Sequence, residues 1–262
     1  MYEHVIVPFD GTKQAQRASM VGADLSHMMG AELVVMTAHG IDSDRGIAQV
    51  KERAKVMSDP SVTVWIEPIA NEAKAVASVV EHRPNSLICM STSARTGVRR
   101  AVYRSLAERL LRELDAPILL VGPHWQGGSV VDLSHLVVCL DGSATAEAAI
   151  PLAGAWAELR PLNVTLVHVH QNDGELAVDL DRLAWPLESR CEIVDRVVVE
   201  NDDVVDGILE VVSNSLSPFV VMATRARAGL ERVAYGSVTA SMLARSPVPV
   251  LVQRGPLQTH PA

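Results

Sequence analysis

Arg225, Arg227 and Arg232 crowd into a short span of a chain whose formal net charge is -8, and the residues around them suit an anion. From Phe219 to Val238 the chain reads FVVMATRARAGLERVAYGSV. Its apolar opening, Phe219 to Met222, has the pattern of a strand buried on both faces. A loop of small and basic residues follows from Thr224 to Gly229. Gly236-Ser237 then opens a helix, with Ser237 expected to cap the first turn. A strand, a small-residue loop and a helix N-terminus aim free amides and the positive end of the helix dipole at one point. The chemistry expected there is phosphate binding. For these arginines, and for Arg95, Arg99, Arg100 and Arg104 earlier in the chain, the alternative is a solvated surface or a contact between the two halves of the chain.

Other candidates are sparser. Asp10 and Asp141 each end a predicted strand in the same setting, Asp10-Gly11-Thr12 and Asp141-Gly142-Ser143. At the carboxyl edge of a parallel sheet such residues meet ligands. The alternative is plain turn and cap chemistry. His168 and His170 share one strand face, but no third ligand at metal-site spacing accompanies them, so no metal site is expected. The sequence has no G-x-x-x-x-G-K-[ST] loop, no G-x-S-x-G elbow and no nucleophile–base pair, so an enzyme is not expected.

The elements that must hold these residues recur along the chain. The first half reads as strand His4–Phe9, helix Thr12–Met29 with Ala18, Val21, Leu25 and Met28 on one face, and strand Glu32–Ala38. A polar helix between Asp44 and Met57, strand Val62–Ile66, helix Ala70–Glu81 and strand Leu87–Met90 follow. Helix Leu106–Leu114 and strand Pro117–Val121 close the half. The pattern then restarts. Strand Leu136–Leu140 leads into a helix carrying Ala149, Ala153 and Trp156, with Pro151 as a kink. Strands Val164–Val169 and Ile193–Val199 come next. Asp10 and Asp141 are offset by 131 residues, Pro117 and Pro249 by 132, which marks an internal duplication. Alternating strands and helices predict α/β architecture, two tandem doubly wound domains of five parallel strands. The domains are read as 1–122 and 134–254, with a linker at 123–133 and a loose tail at 255–262.

Composition agrees with globular domains: 48% hydrophobic and 21% charged. The acidic balance argues against nucleic acid as the main partner. Cys89, Cys139 and Cys191 show no C-x-x-C spacing, and the first two read as small core residues. No signal-peptide pattern and no membrane-length apolar run is read, so a cytoplasmic location without a membrane partner is expected.

The Phe219–Val238 stretch resembles the signature of the universal stress protein family, G-x-x-G, nine residues, then G-[ST]. Gly236-Ser237 matches the final pair, whereas Ala223 and Ala226 stand at the two leading glycines. The resemblance implies a fold like that of the adenine nucleotide alpha hydrolases and the binding of ATP or a related adenine nucleotide in the service of stress adaptation. It implies a site in the second copy made of Asp141, Val169, Met222, Ala223, Thr224, Ala226, Gly236, Ser237 and Val238. Asp141 and Val169 would contact the adenosine part. His39 matches His170 in the first copy. There Ser91, Ala94 and Arg104 replace the three glycines, which implies a site without function. If Ala223 and Ala226 need left-handed backbone, each costs about 1–2 kcal/mol and binding weakens. The rival reading is a member without nucleotide that serves as an interaction or scaffold protein. The family also pairs through its last strand, which implies an internal pseudo-dimer here, and a homodimer of whole chains is a further expectation.

Overall fold

Val5, Ile6 and Val7 have no measurable solvent exposure, and the same holds for Leu136, Val137 and Val138 in the second half of the chain. Strands this apolar can lie only in the middle of a parallel sheet covered on both faces. The computed structural model describes residues 2–10, 12–38, 62–67, 71–92, 98–125, 127, 133–171, 178–224 and 236–256. The expected helix between Asp44 and Met57 lies outside them. The chain divides into two units, Met1–Val131 and Asp132–Ala262.

In the first unit the order is β1 (His4–Pro8), α1 (Lys13–Met29), β2 (Glu32–Ala38), β3 (Val62–Glu67), α2 (Glu72–Glu81), β4 (Ser86–Ser91), α3 (Val98–Glu113) and β5 (Ile118–Val121). All pairings are parallel, in the order β3-β2-β1-β4-β5. The second unit runs β6 (His135–Cys139), α4 (Ala144–Glu147), α5 (Ala149–Ala157), β7 (Asn163–His170), α6 (Leu180–Ala184), β8 (Ile193–Glu200), α7 (Val204–Asn214), β9 (Pro218–Thr224), α8 (Ser237–Arg245) and β10 (Val250–Arg254). Its parallel order, β8-β7-β6-β9-β10, repeats that of the first unit. Both units are doubly wound, with the strand order reversing between β1 and β4 and between β6 and β9.

Local chemistry sets the boundaries. Thr12 caps α1, its hydroxyl oxygen accepting from the Ala15 amide at 3.1 Å, and Gly30 ends the helix at φ 63°, a conformation that suits glycine. The buried face runs through Ala15, Ala18, Val21 and Leu25 to Met29. Met29, four residues after Leu25, takes the place expected of Met28. Pro151 does more than kink its helix. It lacks an N–H and its ring crowds the carbonyl four residues back, at Glu147. The helix is accordingly broken there into α4 and α5. With aromatics so few, Trp156 and Phe219 pair in the second core, ring centroids 4.8 Å apart. The strand β8 differs from the others, with Ile193 and Val198 about half exposed.

The core also fixes the chemistry of the cysteines. Cys89 and Cys139 are buried, and burial pushes the Cys139 thiol up to about 12 and Cys89 still higher. Cys191 is partly exposed. At neutral pH the native protein should take up one equivalent of a thiol reagent, at Cys191, and three after unfolding. A second fast equivalent in the native state would contradict this packing.

At the foot of β6, the His135 ring lies 2.8 Å from the Thr165 hydroxyl, and burial lowers its pKa against the pull of Asp195. The unfolded chain protonates this residue near pH 6.5 while the folded chain resists, so His135 supports the fold fully above that pH. Stability should fall as pH drops below 6.5 toward the lowered value. Urea midpoints at pH 7.5 and 5.5 should differ less in His135→Gln than in the parent chain.

Candidate functional site

Parallel pairing brings the carboxyl ends of β9, β6 and β7 side by side in the second unit. Asp141 follows β6 and is exposed. Its Oδ1 accepts from the Ser143 amide at 3.0 Å and the Ser143 hydroxyl at 2.6 Å, and the Ser143 oxygen in turn caps α4 through the Ala146 amide. Its Oδ2 has no partner among the described residues. Asp10 makes the same pair of bonds to Thr12, at 3.0 and 2.7 Å. Turn and cap chemistry is therefore built in both units, and among the described residues it uses one carboxylate oxygen in each.

β9 supplies Met222, Ala223 and Thr224, paired with Val252, Gln253 and Arg254 of β10. Met222 and Thr224 are buried and Ala223 is half-buried. Ala223 is ordinary extended backbone. Among the described residues, positive φ outside glycine occurs at Asn85 and Ser217. The left-handed cost anticipated at Ala223 thus does not arise, because the strand continues through it. Ala226 lies outside the described residues, as do Arg225, Arg227, Arg232, Arg95, Ala94 and His39.

Gly236 precedes α8 with φ −61° and ψ 159°, and no side-chain cap bond is made there among the described residues. This corrects the role expected of Ser237. The N-cap is Gly236, which has no side chain to close the turn, and Ser237 is the first helical residue. Gly236 and Ser237 are exposed and Val238 is half-buried. In the first unit Arg104 falls inside α3, which begins six residues earlier at Val98. The run from Val98 to Arg104 has no glycine or proline to stop a helix, whereas Gly236 marks the start of α8.

Val169 is buried, and a Cβ added to Gly207 of α7 would lie 2.9 Å from both of its methyl groups. The helix thus lies directly on Val169. His168, one residue earlier, is half-buried and its Nδ1–H donates to the Leu140 carbonyl at 3.0 Å. His170 is half-buried as well. Among the described residues no group of three or more His, Cys, Asp or Glu could hold a metal ion. No described helix is long and apolar enough to cross a membrane.

Three features of this edge escape a sequence reading. Thr145 in α4 is buried, and its hydroxyl oxygen has no hydrogen-bond partner among the described residues. Gly255, expected in a loose tail, is buried. Its amide donates to the Thr224 carbonyl at 3.0 Å, and an added Cβ would stand 2.7 Å from Thr145. Gly207 of α7 packs tightly against Val169. A glycine directly after a strand is the only signal that pointed to any of these.

A model of the universal stress protein family matches residues 133–254, which lie in the second unit. A universal stress protein of Mycobacterium tuberculosis is 26% identical over 250 residues, 88% of this chain and 77% of its own length, and one from Mycobacterium bovis aligns equally well. Among solved structures, a universal stress protein from Archaeoglobus fulgidus superposes with a TM-score of 0.71 at 18% identity, covering 96% of each chain. One from Pseudomonas aeruginosa described as a putative member gives 0.58 at 14% identity, covering 97% of this chain and 94% of its own. These likenesses concern the fold.

The tight fit at Gly207 makes a measurable demand. Gly207→Ala must displace the stiff, β-branched Val169, so it should destabilise the chain by about 1–3 kcal/mol despite alanine's better helix propensity. Chemical denaturation reads this, and an unchanged midpoint would mean that α7 does not lie on Val169 so closely.

Proposed function

The chain belongs to the universal stress protein family through residues 133–254, and on that premise we propose that its second unit binds an adenine nucleotide, ATP or a close relative, in the service of stress adaptation. The observation that carries the reading is the start of α8. A nine-residue helix opens on Gly236 with no side-chain cap among the described residues, so its first amides are available to a phosphate. Asp141, after the neighbouring strand, adds a carboxylate oxygen with no partner among the described residues, suited to the hydroxyls of a ribose. Extended backbone at Ala223 removes one of the two penalties expected from the missing glycines.

The first unit is proposed as the copy without a ligand. It keeps the aspartate turn, but α3 passes through Arg104 where the second unit has the exposed N-cap Gly236. Charge alone at Arg104 does not replace converging amides, which fix both distance and direction.

Calorimetry with ATP, ADP and AMP should show one site per chain. Asp141→Asn keeps the Oδ1 acceptor of the turn and removes the charge, so it should weaken binding about ten- to a hundredfold with little loss of stability. Gly236→Arg should abolish binding and Asp10→Asn should leave it unchanged. Absence of heat and of competition at millimolar nucleotide would reject the reading and favour an interaction protein.

A further inference from the structure

The sheet of the second unit ends at β8, and among the described residues no strand pairs with its outer side. A free strand edge is a template for another strand, and proteins blunt it by keeping it short or studding it with charge. β8 runs for eight residues, above the usual length of about five or six, and its centre is the apolar run Val197-Val198-Val199. Ile193 and Val198 are about half exposed, and Trp185 is 77% exposed on the segment between Asp181 and Glu188. Both of those carboxylates are tied to β8 through Arg196, Asp181 at 3.0 Å.

Two hydrogen bonds fix which way the backbone of β8 points. In a parallel ladder a residue turns its N–H and C=O to one side, and the next residue turns them to the other. The Asn201 amide donates to the His170 carbonyl at 3.1 Å, so odd-numbered residues face β7. The Val194 carbonyl accepts from the Arg196 Nη1 at 2.6 Å, so even-numbered residues face outward. The backbone groups of Arg196, Val198 and Glu200 therefore lie on the outer edge.

Charge then selects what can pair there. Two copies joined antiparallel about a twofold axis set odd residues against odd and even against even, because the axis preserves the face of the sheet. Centred on Val198, such a pairing puts that valine against its own counterpart and Val197 against Val199. It also sets Arg196 against Glu200, and Asp195 against Asn201. Centring on Asp195, Arg196 or Glu200 instead brings like charges face to face. Centring on Val197 leaves Arg196 opposite a valine and needs the Val194 carbonyl that Arg196 already occupies. Arg196 has donors to spare. Of its five N–H groups, Asp181, Glu188 and Val194 take three among the described residues.

We propose that β8 is the docking edge for a second copy of this chain, the two strands pairing antiparallel about Val198. The charges that would repel a foreign strand match here because the segment from Asp195 to Asn201 complements its own reverse. An interface of one short strand per copy falls below about 1,200 Å², so the dimer is weak and reversible. It needs no nucleotide.

Sedimentation equilibrium of the full chain, from micromolar to near-millimolar concentration, should show monomer and dimer in exchange. Glu200→Arg should weaken the dimer about tenfold or more, since the symmetry applies the change twice. Mixing Glu200→Arg with Arg196→Glu restores both opposite-charge pairs and should recover most of the parent affinity, as should one chain carrying both changes. Val198→Pro removes an outward N–H, spares the ladder to β7 and should abolish the dimer. A chain that stays monomeric throughout, or a dimer indifferent to both Glu200→Arg and Val198→Pro, overturns the proposal. Recovery in neither the mixture nor the double variant overturns the pairing about Val198.

Discussion

Parallel pairing governs everything that follows in this chain. When all strands run one way, their carboxyl ends meet at one edge and each must be followed by a crossover, so that edge collects turns and helix starts. Register then decides which side chain arrives where. On β7, period-two alternation turns Val169 toward α7 and sends His168 and His170 to the opposite face. A slip of one residue would exchange them and put imidazoles under a helix where only methyl groups fit. The buried flanks, Val138 against Leu166 on one side and Val221 on the other, hold that register at an apolar cost too high to slip.

The aspartate turn is first a folding device. Asp10 and Asp141 commit one oxygen each to the residue two places on, a threonine in one unit and a serine in the other, with matching distances. Duplication has therefore kept the part that shapes the chain after the first strand. The copies part company at other points of the same edge: Thr37 against His168, and a helix running through Arg104 against one beginning after Gly236. Ligand chemistry can be altered at those points without disturbing the turn, because neither residue takes part in its hydrogen bonds.

Much of the architecture was legible because its causes are local. Apolar runs such as Phe219 to Met222 announce strands, Thr12 announces a helix start, and Pro151 announces a break. The duplication announces that the order repeats. The site was less legible, for reasons of the same physical kind. Whether Gly236 or Ser237 is the cap depends on one pair of dihedral angles, which residue type biases only weakly. Gly255 reads as the start of a loose tail until Thr145 is seen to press against it. The cost expected at Ala223 assumed a left-handed backbone, and only the pairing with Gln253 shows the strand continuing there. The bond from His168 to Leu140 joins residues 28 apart, beyond any local pattern.

The anion site proposed for a chain of net charge -8 raises the question of which electrostatic effect prevails. At physiological ionic strength the screening length is about 8 Å, so acidic residues on distant surfaces contribute little at the edge of one sheet. Within that radius the balance changes. Opposite charges 4 Å apart near a protein surface interact by about 4 kcal/mol, and amides at a helix start add partial positive charge at shorter range. The sequence between β9 and Gly236 carries Arg225, Arg227 and Arg232. Asp141 follows the strand next to β9, and in the proposed site it would meet a sugar rather than a phosphate. The acidic total therefore says little about the proposed site, because at this screening length the charges nearest a ligand outweigh those on distant surfaces.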